Sequence, residues 1–214
     1  MEITWYGHAC FRLTERGLAT VVTDPFDPKE IGYDALKLKA DILTVSQNTP
    51  GHNNLSAVKG EPYTITGPGE FEIGSVFITG VQTNGHSKKD TDPRNTLFVF
   101  DYNNITVAHL GNINRVPSQS EIEALGNVNI ALVPVGGSID SDKLAEMIRL
   151  LEPNILIPMM YQTPSSTTKL QPLNDFIKAM GIEKEPEAQP SFQVKSGGSL
   201  PDETKVVVLD YQRS

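Results

Sequence analysis

One cysteine is all that the 214 residues contain. A lone Cys10 excludes an intrachain disulfide and a thiolate metal cluster. Its setting, Ala9-Cys10-Phe11, is apolar, which fits a small buried hydrophobe better than a reactive thiol. Long apolar runs are also missing, and none approaches the roughly 20 residues that a membrane-spanning helix needs. The start, Met1-Glu2-Ile3-Thr4-Trp5, has neither a basic opening nor an apolar stretch with a small-residue cleavage site. The expected location is therefore the cytoplasm. Basic blocks are absent too, with 18 Lys and Arg against 26 Asp and Glu. A net charge of −8 repels phosphate backbones and anionic membranes, so neither nucleic acid nor a membrane is expected as a partner. That sum describes the average surface only and leaves room for a local basic patch. Hydrophobic residues at 38% are ordinary for a soluble chain, and the length suits a single domain over 1–214 with a sizeable core.

What is present reads as β first and alternating later. Short β-prone segments fill the first half: Ile3 to Tyr6, Cys10 to Thr14, Leu18 to Thr23, Ala40 to Val45, Tyr63 to Thr66, Phe71 to Ile73, Val76 to Val81, Thr96 to Asp101 and Ile105 to His109. Asn103-Asn104 suits a tight hairpin turn, because Asn tolerates positive φ. Ser118 and Glu121 have capping-box spacing before Ile122 and Leu125. The run Ile130 to Val135 is a buried strand. Leu144, Met147, Ile148 and Leu151 recur at helical spacing until Pro153 stops them. Ile155 to Pro158 and Val206 to Leu209 read as strands, and Leu173 to Met180 as a helix closed by Gly181. No internal repeat appears. The pattern predicts a layered α+β or α/β sandwich.

Chemically the chain looks quiet. His8, His52, His86 and His109 are its four histidines, and no pair of them has metal-ligand spacing. No zincin, nucleophile-elbow or phosphate-loop pattern occurs. Five segments stand out together: Gly7-His8-Ala9-Cys10-Phe11, Thr23-Asp24-Pro25-Phe26, Gly67-Pro68-Gly69-Glu70-Phe71-Glu72-Ile73-Gly74, His109-Leu110-Gly111-Asn112 and Pro134-Val135-Gly136-Gly137. In this order and at these separations, over residues 1 to about 180, they resemble the lactonase-like branch of the metallo-β-lactamase superfamily of zinc-dependent hydrolases. The conjunction is far more specific than any one segment. The resemblance implies an αββα sandwich of two mixed β-sheets flanked by helices, with a dinuclear metal site on loops along one edge.

Active members of that family carry T-H-x-H-x-D-H after the strand that corresponds to Ile42–Val45. Here the stretch is Ser46-Gln47-Asn48-Thr49-Pro50-Gly51-His52. By the resemblance, Gln47 and Thr49 stand at histidine positions, Gly51 at the aspartate and His52 at the last histidine. His86 matches the next ligand, Asn112 replaces the bridging aspartate, and Met160 replaces the final histidine. Five of seven ligand positions have changed. Zinc prefers neutral imidazole, thiolate and carboxylate. Gln47, Thr49 and Asn112 offer neutral oxygens, Gly51 offers no side chain, and a Met160 thioether is too soft and weak for Zn²⁺. No bound metal or other cofactor is expected from such a set, unless an atypical zinc site has replaced it.

The remaining readings concern roles. His8 and Asp24 fall in turns that would support the ligand loops by hydrogen bonding. Glu70 reads as a loop anchor and His109 as a satisfied histidine near the core. His52 reads as the opening of a helix, and His52 or His86 is the candidate acid–base group for any metal-free hydrolysis. Arg115, Lys88 and Lys89 are taken as solvated surface charges. The stretch from Pro164 to Thr168 reads as an exposed loop or lid. Three functions follow from the sequence. In the first, a non-hydrolytic descendant uses Gln47, Asn48, Thr49, His52, His86, Asn112 and Met160, with Asn114, as a pocket for a small polar ligand or a protein partner. The second is a hydrolase with an atypical metal site or a metal-free mechanism. The third is a structural subunit, with a homo-oligomer compatible with all three.

Overall fold

A computed structural model describes residues 1–83, 93–194 and 198–213. Its strands are β1 (Glu2–Trp5), β2 (Phe11–Thr14), β3 (Val21–Thr23), β4 (Leu38–Lys39), β5 (Ile42–Thr44), β6 (Val58–Lys59), β7 (Tyr63–Ile65), β8 (Gly69–Ile73), β9 (Val76–Gln82) and β10 (Thr96–Tyr102). They continue with β11 (Ile105–His109), β12 (Ile130–Pro134), β13 (Ile155–Met159), β14 (Phe192–Gln193) and β15 (Lys205–Val206). The helices are α1 (Pro28–Ile31), α2 (Gln119–Leu125), α3 (Ser141–Leu151) and α4 (Leu173–Ala179).

Two mixed sheets face each other. One has the order β14-β1-β2-β3-β5-β7, the other β15-β13-β12-β11-β10-β9-β8. In the first, β3, β5 and β7 run parallel; in the second, β11, β12, β13 and β15 do. Alternation explains the layering. On β1 and β2 every second residue is buried, so Ile3, Trp5, Phe11 and Leu13 meet Phe98, Phe100 and Tyr102 of the opposite sheet in one core. Strands β12 and β13 are buried throughout, as parallel strands covered on both faces must be. Their outer cover includes Leu144, Met147 and Ile148 of α3 with Phe176 and Ile177 of α4.

The two outer layers are unequal. Helices α3 and α4 form a helical layer, whereas the six-stranded sheet is covered by a second small cluster in which Ile31, Tyr33, Leu36, Leu38 and Val58 pack on Val22 and Leu43. That cover contains only the four-residue α1, one three-residue 3₁₀ turn and the β4–β6 pair. The αββα sandwich is therefore present with one thick and one thin outer wall. Among the described residues no helix is long and apolar enough to cross a membrane.

Candidate functional site

Parallel pairing builds the site. Strands β3 and β5 align Thr23 with Thr44, so the residues that follow them, Asp24 and Ser46, emerge at one edge. Strands β11 and β13 lie either side of β12 and bring the turns after His109 and Met159 to the same edge from the second sheet. Segments separated by more than a hundred residues thus meet because carboxyl ends of parallel strands share an edge.

Asp24 is the centre. Its carboxylate is fully buried and accepts three hydrogen bonds: Oδ1 from the Ser46 N–H at 2.7 Å, and Oδ2 from Ser46 Oγ at 2.5 Å and His52 Nδ1 at 2.8 Å. Burial alone would push this carboxyl up. The facing His52 and His109 rings and the Ser46 bond hold it below its ordinary value instead. His109 is also fully buried, with Nε2 2.9 Å from the Ala9 carbonyl and Nδ1 facing the Gly111 N–H at 3.3 Å. Those partners assign the neutral tautomer with the proton on Nε2. It is the satisfied histidine expected from sequence. Gly111 is fixed by space as well as by its φ of +58°, since a Cβ there would lie 2.3 Å from Asn95 Oδ1.

His8 sits above this network. Its ring centroid is 5.2 Å from that of His52, and its Nδ1 is buried with no hydrogen-bond partner among the described residues. Its carbonyl accepts from Trp5 Nε1 and the Met160 N–H. Burial, reinforced by His52, drives its imidazole down to about 3. Burial also lowers His109. His8, Asp24 and Met160 have φ of +49°, +40° and +54°. Three non-glycine residues in the left-handed region at one edge are a concentration of strain of the kind found at functional sites.

These shifts have a pH consequence. A histidine whose folded value is depressed is neutral when folded and protonated when unfolded, so the unfolded state binds the extra proton in the interval between the two values. Stability is expected to fall as the pH drops from about 6.5 towards 3, with His8 alone contributing a slope of about 1.4 kcal/mol per pH unit. Urea midpoints between pH 7 and 4 check this. His8→Gln should flatten the curve; an unchanged slope would mean that the ring is charged when folded.

The positions that the resemblance assigns to metal form a neighbouring cluster. Gln47 is buried, and its Oε1 accepts from Thr49 Oγ1 at 3.3 Å and Asn112 Nδ2 at 3.5 Å. Asn112 Oδ1 accepts in turn from the Ser138 N–H. Met160 is buried, and its Cε approaches the same Gly137 position that Asn112 Oδ1 does. Gln47, Thr49, Asn112 and Met160 therefore converge as expected. Asn48 is exposed and accepts from Asn53 Nδ2, outside that bonded group. His86, Lys88 and Lys89 lie outside the described residues.

Several expectations need correction. His52 opens no α-helix; it closes a turn through its N–H to the Thr49 carbonyl, and a 3₁₀ turn starts only at Leu55. Glu70 is not a loop anchor behind the site but an exposed residue inside β8, paired in register with Thr79. Its Gly-Pro-Gly approach looked like a loop because it lacks β-branched residues. Arg115 is no free surface cation, since both its terminal nitrogens bind Glu121, at 2.8 and 2.7 Å. The stretch around Pro164 to Thr168 is fastened: Thr167 binds the carbonyls of Ile31 and Glu30, Thr163 binds the Tyr33 hydroxyl, and Ser165 meets Tyr211. Two positioning residues carried no sequence signal. Ser46 bonds both carboxylate oxygens of Asp24, and the fully buried Asn95 binds Leu110, Thr83 and the Asn112 N–H.

The two facing mixed sheets and the loop site at their shared edge define a hydrolase-type metallo-β-lactamase sandwich. Residues 2–160 match the family profile of the beta-lactamase superfamily domain, and the chain belongs to that superfamily. It is similar to a structure from Thermotoga maritima described under the Zn-dependent hydrolases of the metallo-β-lactamase superfamily, with 35% identity, a TM-score of 0.78 and 97% of each chain covered. A UPF0173 metal-dependent hydrolase of Methanocaldococcus jannaschii is 26% identical over 85% of this chain and 94% of its own. A UPF0173 protein of Pyrococcus abyssi is 27% identical over 76% and 84%.

Zinc is the metal that this family implies, and the described residues do not fit it. Among them no group of three His, Cys, Asp or Glu side chains could hold a metal ion. The Gln47 carbonyl is already bonded by two neighbours. Where an aspartate would project from position 51, a Cβ would lie 2.8 Å from His8 Nε2. The side-chain space of that ligand is filled by another ring.

Proposed function

We propose that this chain is a non-hydrolytic member of the metallo-β-lactamase superfamily, in which the former dinuclear zinc edge has become a closed, hydrogen-bonded node. The observation that carries the reading is the Gln47–Thr49–Asn112 cluster, whose polar atoms are bonded to one another in place of an ion. Two dications need carboxylates for charge compensation, and the two positions that would supply them hold Gly51 and Asn112. Asp24, the carboxylate closest in kind, is consumed by Ser46 and His52. A supporting network survives around His52, while five of the seven ligand positions it would serve hold other residues. The chain would act by binding, as an assembly or ligand-carrying protein of the cytoplasm.

One observation favours a second reading. The bond from His52 Nδ1 to Asp24 leaves Nε2 as the unassigned nitrogen of a histidine–carboxylate dyad, the arrangement of a general base. Against it, His52 is 2% exposed and packs on His8. Hydrolysis of lactone, thioester and phosphodiester substrates, with and without added Zn²⁺ or Mn²⁺, separates the two. The expected result is no turnover above that of His52→Ala under any condition. Metal-stimulated turnover would overturn the proposal, and metal-independent turnover lost in His52→Ala would establish the dyad.

A further inference from the structure

A second polar feature lies at the opposite end of the same strands. Asp24 and Ser46 follow the carboxyl ends of β3 and β5, whereas Thr20 and Asp41 precede their amino ends. There, on the thinly covered outer face of the six-stranded sheet, a cavity of about 430 Å³ is lined by Arg12, Thr20, Lys39, Ala40, Asp41, Lys59 and Gly60. Arg12 and Thr20 also line an adjoining cavity of about 650 Å³ that holds Glu2, Glu15 and Arg16. Arg12 faces outward because it pairs with Val22, whose side chain belongs to the outer cluster.

Charge is distributed unevenly around this groove. The carboxylates are engaged: Asp41 Oδ2 accepts from the Thr20 N–H at 2.8 Å, Glu2 Oε1 from Ser191 at 2.8 Å and Gln193 at 3.3 Å, and Glu15 pairs with the Met1 amino group. The cations are not. Among the described residues Arg12, Lys39 and Lys59 make no ion pair or side-chain hydrogen bond, and Arg12 Nε is buried without an acceptor. The field of Arg12 reaches Glu2, yet only behind the Ser191 and Gln193 bonds in lowering that carboxyl.

The backbone forces two of the charges together. Strands β4 and β6 pair in parallel with Leu38 opposite Val58 and Lys39 opposite Lys59. Leu38 and Val58 are buried, so both lysines project outward from adjacent positions. Like charges side by side on paired strands are destabilising unless something compensates them. Asp41 is the one carboxylate lining the same cavity, and among the described residues it forms no ion pair with any of the three cations, its Oδ2 being taken by the Thr20 N–H. A buried guanidinium N–H without an acceptor is a further cost that an oxyanion would remove.

We infer that Arg12, Lys39 and Lys59 form a binding site for a small oxyanion bearing two or more negative charges, phosphoryl or polycarboxylate, remote from the family's metal edge. Thr20 lies on the wall that the two cavities share. Arg12 supplies the fork that matches planar or tetrahedral oxyanions, and the lysine pair supplies point charges. This site stands whether or not the metal edge is active.

Calorimetric titration of the full chain at low ionic strength tests it, with pyrophosphate, inorganic phosphate and citrate as probes and chloride at matched ionic strength as the control. One anion per chain should bind saturably, and a preference for pyrophosphate or for citrate assigns the phosphoryl or the carboxylate class. Lys39→Gln with Lys59→Gln, both exposed positions, should weaken binding at least tenfold while leaving the unliganded melting temperature equal or higher, because repulsion is relieved. Arg12→Lys should weaken it while keeping the charge. Lys178→Gln on α4 should change nothing. Absence of saturable binding, equal affinity in the double-lysine variant, or a lowered unliganded melting temperature in that variant would each overturn the inference.

Discussion

Asp24→Ala is expected to cost about 3–5 kcal/mol, the range found when one partner of a buried charged network is removed. The alanine would leave the Ser46 N–H, the Ser46 hydroxyl and His52 Nδ1 buried without their acceptor. It would also place a residue poorly suited to the left-handed region at a φ of +40°. Asp24→Asn separates these causes. Asparagine tolerates positive φ, so it keeps the backbone and loses only the charge and one acceptor. Its loss should be clearly smaller than that of alanine in urea unfolding. Equal losses would mean that backbone strain plays no part. A loss below 1 kcal/mol in both would mean that the Asp24 network is not what holds the edge together.

Gly51 is the second place where a large effect is expected. It lacks a positive φ, so its requirement is space alone. A Cβ would lie 2.8 Å from His8 Nε2 and 3.2 Å from Ile31 Cδ1, and Gly51→Ala should cost about 1–3 kcal/mol through overpacking. His8→Gly, compatible with a φ of +49°, should recover most of that loss in the double variant. Rebuilding the family's ligands sharpens the same point. Gln47→His, Thr49→His, Gly51→Asp, Asn112→Asp and Met160→His together are expected to gain little zinc affinity while His8 fills the aspartate's place. Adding His8→Gly should release a strongly non-additive gain, because an incomplete ligand set neither compensates nor orients a metal. Full zinc binding by the five-fold variant with His8 intact would show that the His8 ring moves aside freely.

Much of the fold was legible because it rests on local rules. Asn103 and Asn104 both have positive φ, as their hairpin turn demands, and Ser118 with Glu121 forms the capping box on α2. The helical spacing of Leu144, Met147, Ile148 and Leu151 falls within α3, since helix periodicity and a following proline are strong signals together. Short elements held by tertiary contacts were not legible. The pair β4–β6 is two residues on each side, α1 is four residues, and β14 exists only because β1 pairs with it. None of these carries a periodic pattern long enough to read.

The site divided in the same way. Resemblance alone places Gln47, Thr49, Asn112 and Met160 at one edge, with Asp24 in a turn that supports them. It could not show that Gln47 and Asn112 bond each other, because hydrogen bonds between loops 65 residues apart depend on rotamers. His8 does support a ligand-position loop, since its carbonyl accepts from the Met160 N–H, and its ring has a second role in filling the space beside Gly51, which no local sequence pattern shows. The lysine pair on β4 and β6 has no signature in the sequence, because two lysines 20 residues apart become neighbours only through strand pairing.

Zinc stoichiometry tests the central claim most directly. The chain would be purified without added metal, incubated with excess Zn²⁺, dialysed and analysed by plasma emission. Anomalous scattering at the zinc edge would then locate any ion in crystals of the same preparation. The expected result is well below one zinc per chain, with no anomalous peak between Gln47, His52, Asn112 and Met160. About two ions per chain at that edge would contradict it.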